Sequence, residues 1–470
     1  MKFIKNILPS IILLLGLVSN SIGQSNNSIN LKVDELFKQW DLPDSPGCAL
    51  GVVKNGKLIY TKGYGMADLE HDIPITSKSV FYAASVSKQF ITMSILLLQE
   101  QGKLDLNDKI QKYLPDFPTY EAPLTIRHFI HHTSGVRDYL TLWELAGNDY
   151  MDYVDKDAVY QMIKRQKTLN FSPGEKYLYS NSCYFMLAMI IEKASGQSVK
   201  DFAKENIFEP LNMKNSHFHD NYLHIVKNRA FSFRQNDTGF DNLIMRFDLV
   251  GSGGLYSNIE DLYLWDQNFY YNKLGEGGSE ILKIMHEEGV LNNGESIGYA
   301  FALQNGNYRG LKTVSHGGSL AGYRTQLMRF PEQNFTVILL ANIASFKSKT
   351  MAQKVADIYL HDVMDSLEKK TITTKTSQSD KIKTVPVEDL NQYVGTYYSD
   401  ELGVNYIIYI EKNSLFVKIK NIEPMELKAT KTDTFTNKLE IVFTRDQKNT
   451  ITGLLVNAGR VQNLAFNKEK

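Results

Sequence analysis

A chain of 470 residues with 43% apolar and 22% charged residues is long enough for two or three packed units with large cores. Its 52 basic and 52 acidic residues cancel, so composition gives no reason to invoke nucleic acid or an anionic membrane as a partner. Two cysteines, Cys48 and Cys183, do not make a disulfide framework, and their apolar surroundings predict two separate buried thiols.

Residues 1–23 read as a secretory signal peptide. Met1-Lys-Phe-Ile-Lys5 is basic, Ile7 to Val18 is apolar, and Ser21-Ile-Gly23 places small residues ahead of a cut before Gln24. The apolar run is short for a membrane span, so the expectation is a periplasmic or secreted protein without membrane attachment after cleavage.

Leu31 to Trp40 has helical spacing, with Val33, Leu36, Phe37 and Trp40 on one face. Two strand-like runs, Cys48 to Val53 and Leu58 to Thr61, flank Asn55-Gly56, a pair suited to a two-residue hairpin turn. A strongly apolar helix then starts at or near Ser85 and runs to Gly102. From Leu104 to about Glu280 the pattern is mainly helical. It includes a short helix closed by Gly135, an apolar helix from Tyr184 to Ala194, and a helix from Ile259 capped by Ser257 or Asn258. Strand signals return at Tyr299 to Leu303, followed by a turn at Asn305-Gly306. Thr313 to Ser315, Arg324 to Phe330 and Phe335 to Leu340 continue the series, before a last helix from Met351 to Met364. Strands bracketing a helical middle predict an α/β (α+β) unit over 24–364, one antiparallel sheet flanked by helices with a helical lobe inserted. Residues 365–384 are polar and read as a solvated linker. In 385–470, short strand-like runs at regular spacing predict a small antiparallel barrel or sandwich.

Three strings carry candidate chemistry. Ser85 and Lys88 stand three apart at the start of the apolar helix, where i and i+3 side chains meet, so a hydroxyl gains an amine as its base. The string alone identifies nothing, because Ser366-Leu-Glu-Lys369 matches it within the polar linker. The apolar neighbours Phe90, Ile91, Ile95, Leu96 and Leu98 set Ser85 apart, since a lysine beside them must be partnered or desolvated. Tyr179-Ser-Asn181 leads into the second apolar helix; Tyr270-Tyr-Asn272 shares the spacing but lies at a polar helix end. His316-Gly-Gly318-Ser319 places a titratable ring beside bare backbone that a substrate can approach closely. His128, His131 and His132 lack metal-ligand spacing and read as packing and turn residues. No phosphate-binding glycine loop occurs in the sequence.

In this order the three strings resemble the active-site motifs of the serine β-lactamase and penicillin-binding-protein fold, in the Tyr-x-Asn form of class C β-lactamases, D,D-carboxypeptidases, esterases and D-aminopeptidases. Leu124-Thr-Ile-Arg, His132-Thr-Ser-Gly135, Pro173-Gly174 and Gly253-Gly-Leu-Tyr-Ser257 add to the likeness. The resemblance implies a β-lactamase/transpeptidase-like fold over roughly Leu31 to Asp365 and an exported serine hydrolase acting through an acyl-enzyme, without cofactor or metal. Ser85 would be the nucleophile, Lys88 and Tyr179 its proton-transfer groups. Asn181 would orient the substrate amide or Lys88, the backbone N–H groups of Ser85 and Ser319 would form the oxyanion hole, and His316 and Gly318 would border the substrate. His316 departs from the class C pattern, where lysine is usual; this is closer to the aminopeptidase and esterase branches, since a neutral histidine anchors a carboxylate poorly. The implied partner is a small molecule or short peptide. Residues 385–470, opening at Leu390 and Tyr393-Val-Gly395-Thr-Tyr397, resemble an appended lipocalin-like domain with an accessory role. A non-catalytic penicillin-binding-like sensor that keeps the serine is the alternative from a different class.

Overall fold

Alternating side chains in the run Cys48–Lys54 set the layering of the molecule. Cys48, Leu50 and Val52 join one core, while Ala49 and Val53 join another. The partner strand Phe335–Ala341 divides likewise, with Val337, Leu339 and Ala341 on the first face and Ile338 and Leu340 on the second. A period of two with apolar residues on both faces is the mark of a sheet covered on both sides. The computed structural model describes residues 28–149, 151–366 and 389–470. The signal peptide expected at 1–23, most of the linker expected at 365–384, and Lys369 lie outside these residues.

The sheet has six antiparallel strands in the order Gln304–Tyr308, Leu311–Leu320, Tyr323–Phe330, Phe335–Ala341, Cys48–Lys54 and Lys57–Tyr64. It is thus assembled from two distant parts of the chain, as the bracketing strand signals predict. Asn55 and Gly56 both take positive φ, 51° and 73°, and close the first hairpin. One face is covered by the helix at 28–37 and by Ser348–Leu360, through Val33, Phe37, Val355 and Ala356. On the other face, helix Ile259–Asn268, capped by Asn258, packs so closely that a Cβ at Gly51 would meet the Ile259 side chain at 2.5 Å. That helix is pinned by a buried pair, Arg329 Nε to Asp266 Oδ1 at 2.7 Å, with Thr336 Oγ1 donating to the same oxygen at 3.0 Å.

The turn at Asn305-Gly306 was misplaced by sequence reasoning. Both residues pair within strand Gln304–Tyr308, and the reversal falls at Arg309 and Gly310, with φ of 49° and 82°. Residues 299–303, expected as strand, precede it without strand structure, and Ala302 there has φ 57°. Tertiary anchoring explains the shift. Arg309 donates to Asp357 at 2.6 Å and to the Asp365 carbonyl at 2.7 Å, so the turn is fixed to the last helix. The short helix Ile126–Ile130 ends earlier than expected, and His132 (φ 56°) turns left-handed before Gly135 does. Cys48 and Cys183 are free and buried, as expected.

Beyond the gap in description, eight strands from Gly395–Ser399 to Val461–Lys468 close into an antiparallel barrel. Four of these strands, including Met425–Lys431 and Val461–Lys468, carry no strand reading at the sequence level. Their alternating polar positions face water and dilute the apolar signal. The barrel docks on the helical lobe through Arg137, whose side chain is fully buried. Its guanidinium donates to Glu401 at 2.5 Å, Gln166 at 2.9 Å, Thr168 at 2.9 Å, and the carbonyls of Gln462 and Asn463 at 3.0 and 3.1 Å. Tyr406 Oη, from inside the barrel, donates to the Leu145 carbonyl at 2.8 Å.

Candidate active site

The helix Ser87–Glu100 runs through the middle of the larger core, and every residue from Ser87 to Leu98 is buried. A helix apolar on all sides is an interior helix, and its polar residues are therefore placed by specific partners. Ser85 lies one turn before it, in the tight turn Ala84–Val86 rather than in the helix proper. Ala84 holds φ 47°, a left-handed value unfavourable for a residue with a Cβ. The turn projects Ser85 to partial exposure while Lys88 stays buried.

Lys88 Nζ contacts Ser85 Oγ at 3.2 Å, Asn181 Oδ1 at 3.0 Å and the Ser252 carbonyl at 2.6 Å. The rings of Tyr179 and Tyr184 lie 4.9 and 5.4 Å from it. Burial holds the Lys88 ammonium well below its usual range, and the charge of Arg460 adds to this against the opposing pull of Asp138. This lowering favours the free amine, in which there are two N–H donors and one lone pair. Two of its neighbours are carbonyl oxygens that can only accept. Both N–H groups are thereby used, and the lone pair is left for the Ser85 hydroxyl.

Asn181 opens the helix Asn181–Ser195, which starts three residues before the apolar run suggests. Its amide orientation is set from behind: Nδ2 donates to Asp138 Oδ2 at 2.8 Å and the Asn181 N–H to the same oxygen at 2.6 Å. Asp138 is buried and caps the helix Tyr139–Leu145 through its other oxygen, accepting from Thr141 N at 3.1 Å. Since a carboxylate oxygen accepts, Asn181 must turn Oδ1 toward Lys88. The expected contact between Asn181 and Lys88 is present, at 3.0 Å.

Tyr179 is partly exposed on the approach to this helix and packs on His132, with ring centroids 4.1 Å apart. His132 Nδ1 accepts from the Ser180 N–H at 3.1 Å, which fixes the approach in place. Burial, with Lys88 adding to it, keeps the His132 ring neutral, its pKa well below the usual value. Burial raises the Tyr179 phenol, while the Ser85 hydroxyl and Arg460 pull the other way. Tyr179 therefore stays protonated at neutral pH.

His316 lies on strand Leu311–Leu320, 3% exposed. Its Nδ1 lies 2.7 Å from the Gly317 carbonyl and its Nε2 3.1 Å from Tyr299 Oη, which assigns the proton to Nδ1 and leaves Nε2 to accept. Burial, with Lys88 second, lowers its pKa to about 4. The strand continues through both glycines. A Cβ at Gly318 would stand 2.3 Å from Thr325 Oγ1 and 2.4 Å from the Ala83 carbonyl, so glycine here permits close approach to the serine turn. Ser319 pairs with Arg324 at the end of the strand and lines the same cleft as Ser85.

The cleft has a volume of about 530 Å³ and brings together Ser85, Tyr179, Asn181, His316, Gly318 and Ser319, with Lys88 beneath. Three cationic residues, Arg324, Lys349 and Arg460, are among its lining residues, and no aspartate or glutamate is. Sequence reasoning missed Asp138, Ser252 and Arg460; His132, read as a packing and turn residue, has that role here. Only Asp138 has a local signal, an acidic cap ahead of a helix. The control pair Tyr270 and Asn272 lies outside the lining.

Three comparisons bear on this geometry. A family profile described as Beta-lactamase matches residues 34–360. The chain is 32% identical over 308 residues to penicillin-binding protein 4* of Bacillus subtilis (strain 168), covering 62% of this chain and 66% of that protein. It is 27% identical over 322 residues to a D-aminopeptidase of Cereibacter sphaeroides (strain ATCC 17029 / ATH 2.4.9), covering 67% and 61%. The match thus spans less than two thirds of the length of either curated relative. The structure of the octameric penicillin-binding protein homologue from Pyrococcus abyssi aligns with a TM-score of 0.63 at 20% identity, covering 95% of this chain and 100% of that one. That likeness is one of fold, and at this coverage it takes in the barrel.

Proposed function

This chain belongs to the beta-lactamase family of serine hydrolases, and we propose that it cleaves amide or peptide bonds through an acyl-enzyme on Ser85. The observation that carries the reading is the placement of the Lys88 lone pair. An amine whose two N–H groups are held by Asn181 Oδ1 and the Ser252 carbonyl can take the Ser85 proton as Oγ attacks a carbonyl carbon. The developing oxyanion is then met by backbone N–H groups of Ser85 and Ser319, a contribution of about 2.7–4 kcal/mol per donor in other enzymes. Tyr179, kept protonated, donates its proton to the departing amine and is restored from Lys88. In the second half-reaction a water takes the place of the amine: Tyr179 passes its phenol proton to the Lys88 amine as it accepts the water proton, and Lys88 returns a proton to Ser85 Oγ as the acyl bond breaks.

The relatives support two kinds of amide substrate. An aminopeptidase acts at a free amino terminus, whose ammonium calls for a carboxylate in the site. Among the described residues the cleft lining contains cations and no carboxylate, which favours uncharged or anionic acyl compounds over substrates with a free ammonium. We place the reaction outside the cytoplasm on the strength of residues 1–23; a mature protein recovered from cells without a new terminus at Gln24 would overturn that placement.

The decisive test is mass spectrometry of the quenched enzyme with a p-nitrophenyl ester, D-amino amides and nitrocefin. The expected result is a transient acyl adduct on Ser85 and turnover of at least one amide. Absence of any adduct, together with unchanged ligand affinity in Ser85→Ala, would overturn the hydrolase reading in favour of a binding module.

A further inference from the structure

The barrel contributes a residue to the cleft. Strands Ile451–Ala458 and Val461–Lys468 are joined by Gly459 and Arg460, with Gly459 at φ 50°. This hairpin tip is held against the helical lobe from both sides. Asn170 Nδ2 donates to the Arg460 carbonyl at 2.9 Å, and Asn170 Oδ1 accepts from the Gln462 N–H at 2.8 Å. Arg137 grips the next two carbonyls, as described above. The backbone of the tip is therefore fixed, and its one long side chain is directed over the site.

The Arg460 guanidinium lies 4.6 Å from the centre of the Tyr179 ring and its Nη1 lies 3.7 Å from Asp138 Oδ2. The second contact is too long for a hydrogen bond, and that oxygen already accepts twice from Asn181. The side chain is 43% exposed, open to the cleft it lines. Arg324, on the opposite wall, spends Nη1 on the carbonyls of Ala321 and Tyr323, and Lys349 is an exposed residue in the first turn of its helix. A planar guanidinium stacked on one ring and facing open space is shaped for a two-pronged bond to a carboxylate.

We infer that Arg460, supplied by the C-terminal barrel, is a specificity-determining residue that binds a free carboxylate on the leaving-group side of the substrate. The side follows from Tyr179: the ring beneath the guanidinium is the one assigned to protonate the departing amine. The substrate class is then an acyl amino acid or short peptide whose terminal residue, bearing its own α-carboxylate, is released. This inference rests on the acyl-enzyme reading above. It also accounts for the neutrality of His316, since the anion is met from the barrel instead of from the third motif.

The test uses the full chain and two probe pairs, N-acetyl-D-alanyl-D-alanine with its C-terminal amide, and the L,L equivalents. Affinity is measured calorimetrically in the Ser85→Ala background, where no turnover interferes. A free acid should bind more tightly than its amide by about ten- to hundredfold, the worth of a charge-assisted hydrogen bond. Arg460→Gln should erase most of that ratio and Arg460→Lys should restore part of it. In the active enzyme the acid-to-amide ratio of kcat/KM should fall in parallel, with the loss in KM. Equal affinity for acid and amide, no saturable binding of either acid, or loss of the ratio in Arg324→Gln or Lys349→Ala instead would overturn the assignment. Ester acylation of Ser85 is read separately, so failure of Arg460 as an anchor and failure of the hydrolase reading give different results.

Discussion

His316 and Arg460 reach the same cleft from the sheet and from the barrel, and burial makes them chemically unlike. His316 sits on a central strand, 3% exposed, with one ring nitrogen beside the Gly317 carbonyl and the other beside Tyr299. Desolvation leaves it neutral over the whole physiological range. Arg460 sits on a hairpin tip, its guanidinium open to solvent on one side. A titratable ring placed inside a sheet becomes a fixed hydrogen-bonding group, and a charge that must meet a ligand is best supplied from an edge. On the proposed reading the proton-transfer groups lie on the buried side of the cleft, and the barrel adds the charge of Arg460 to those of Arg324 and Lys349.

The largest effects should come from the buried side of this division. Lys88→Ala removes the base and should lower kcat/KM at least about 10²-fold, up to 10⁴-fold, without abolishing slow labelling of Ser85 by a reactive ester. Near-native turnover would break the assignment of proton transfer to that side. Tyr179→Phe comes next, with a loss of about 10²-fold that is smaller for good leaving groups such as p-nitrophenolate; near-native turnover of amides would leave Tyr179 only its packing against His132, which the phenyl ring keeps. Arg137→Met should act on the other side. It leaves Glu401 buried without its partner and should cost about 3–5 kcal/mol in denaturant unfolding, together with the acid-over-amide preference, while ester acylation falls less. If that preference survives, the barrel is not what carries it.

His316→Lys should raise preference for substrates with a free carboxylate by a few-fold, about 1 kcal/mol, measured as the acid-to-amide ratio of kcat/KM. No change would make His316 a purely structural residue. The pH dependence should move least. Lys88 must be unprotonated to act, so kcat/KM should rise with pH through its depressed pKa and level off below the ordinary lysine range. Arg460→Gln removes a neighbouring cation, lets that pKa rise, and should shift the limb to higher pH. His316→Gln should leave the profile between pH 5 and 8 without a new limb, because a group with pKa about 4 is already neutral there.

The same division governs what could be read from the sequence. The hairpin at Asn55-Gly56, the interior helix carrying Lys88, the five sheet strands other than Gln304–Tyr308 and the order of the three motifs follow from local patterns, whose chemistry sits within three or four residues. Ser252 and Arg460 have no such pattern, and the local signal at Asp138, an acidic helix cap, does not reveal its contact with Asn181. Asp138 meets Asn181 43 positions along the chain, and Ser252 meets Lys88 across 164. A carbonyl oxygen carries no residue identity at all, which is why Ser252 was invisible. The Asn305-Gly306 turn failed for a related reason: a favourable dipeptide lost to Arg309, whose anchors at Asp357 and Asp365 lie some fifty residues away.

Ala84 and Gly318 are two small residues that face each other across the serine turn, and they should tolerate mutation unequally. Ala84 at φ 47° would gain about 1 kcal/mol on becoming glycine, at the cost of a looser backbone under the nucleophile. Any side chain at Gly318 would strike the Ala83 carbonyl, Thr325 Oγ1 and the Ala84 methyl together, and two of those three cannot rotate away. In a saturation library of this gene, position 84 should therefore retain a few small variants under selection for stability, whereas position 318 should be swept clean. Divergence of the cleft is open on the serine turn and closed on the strand behind it.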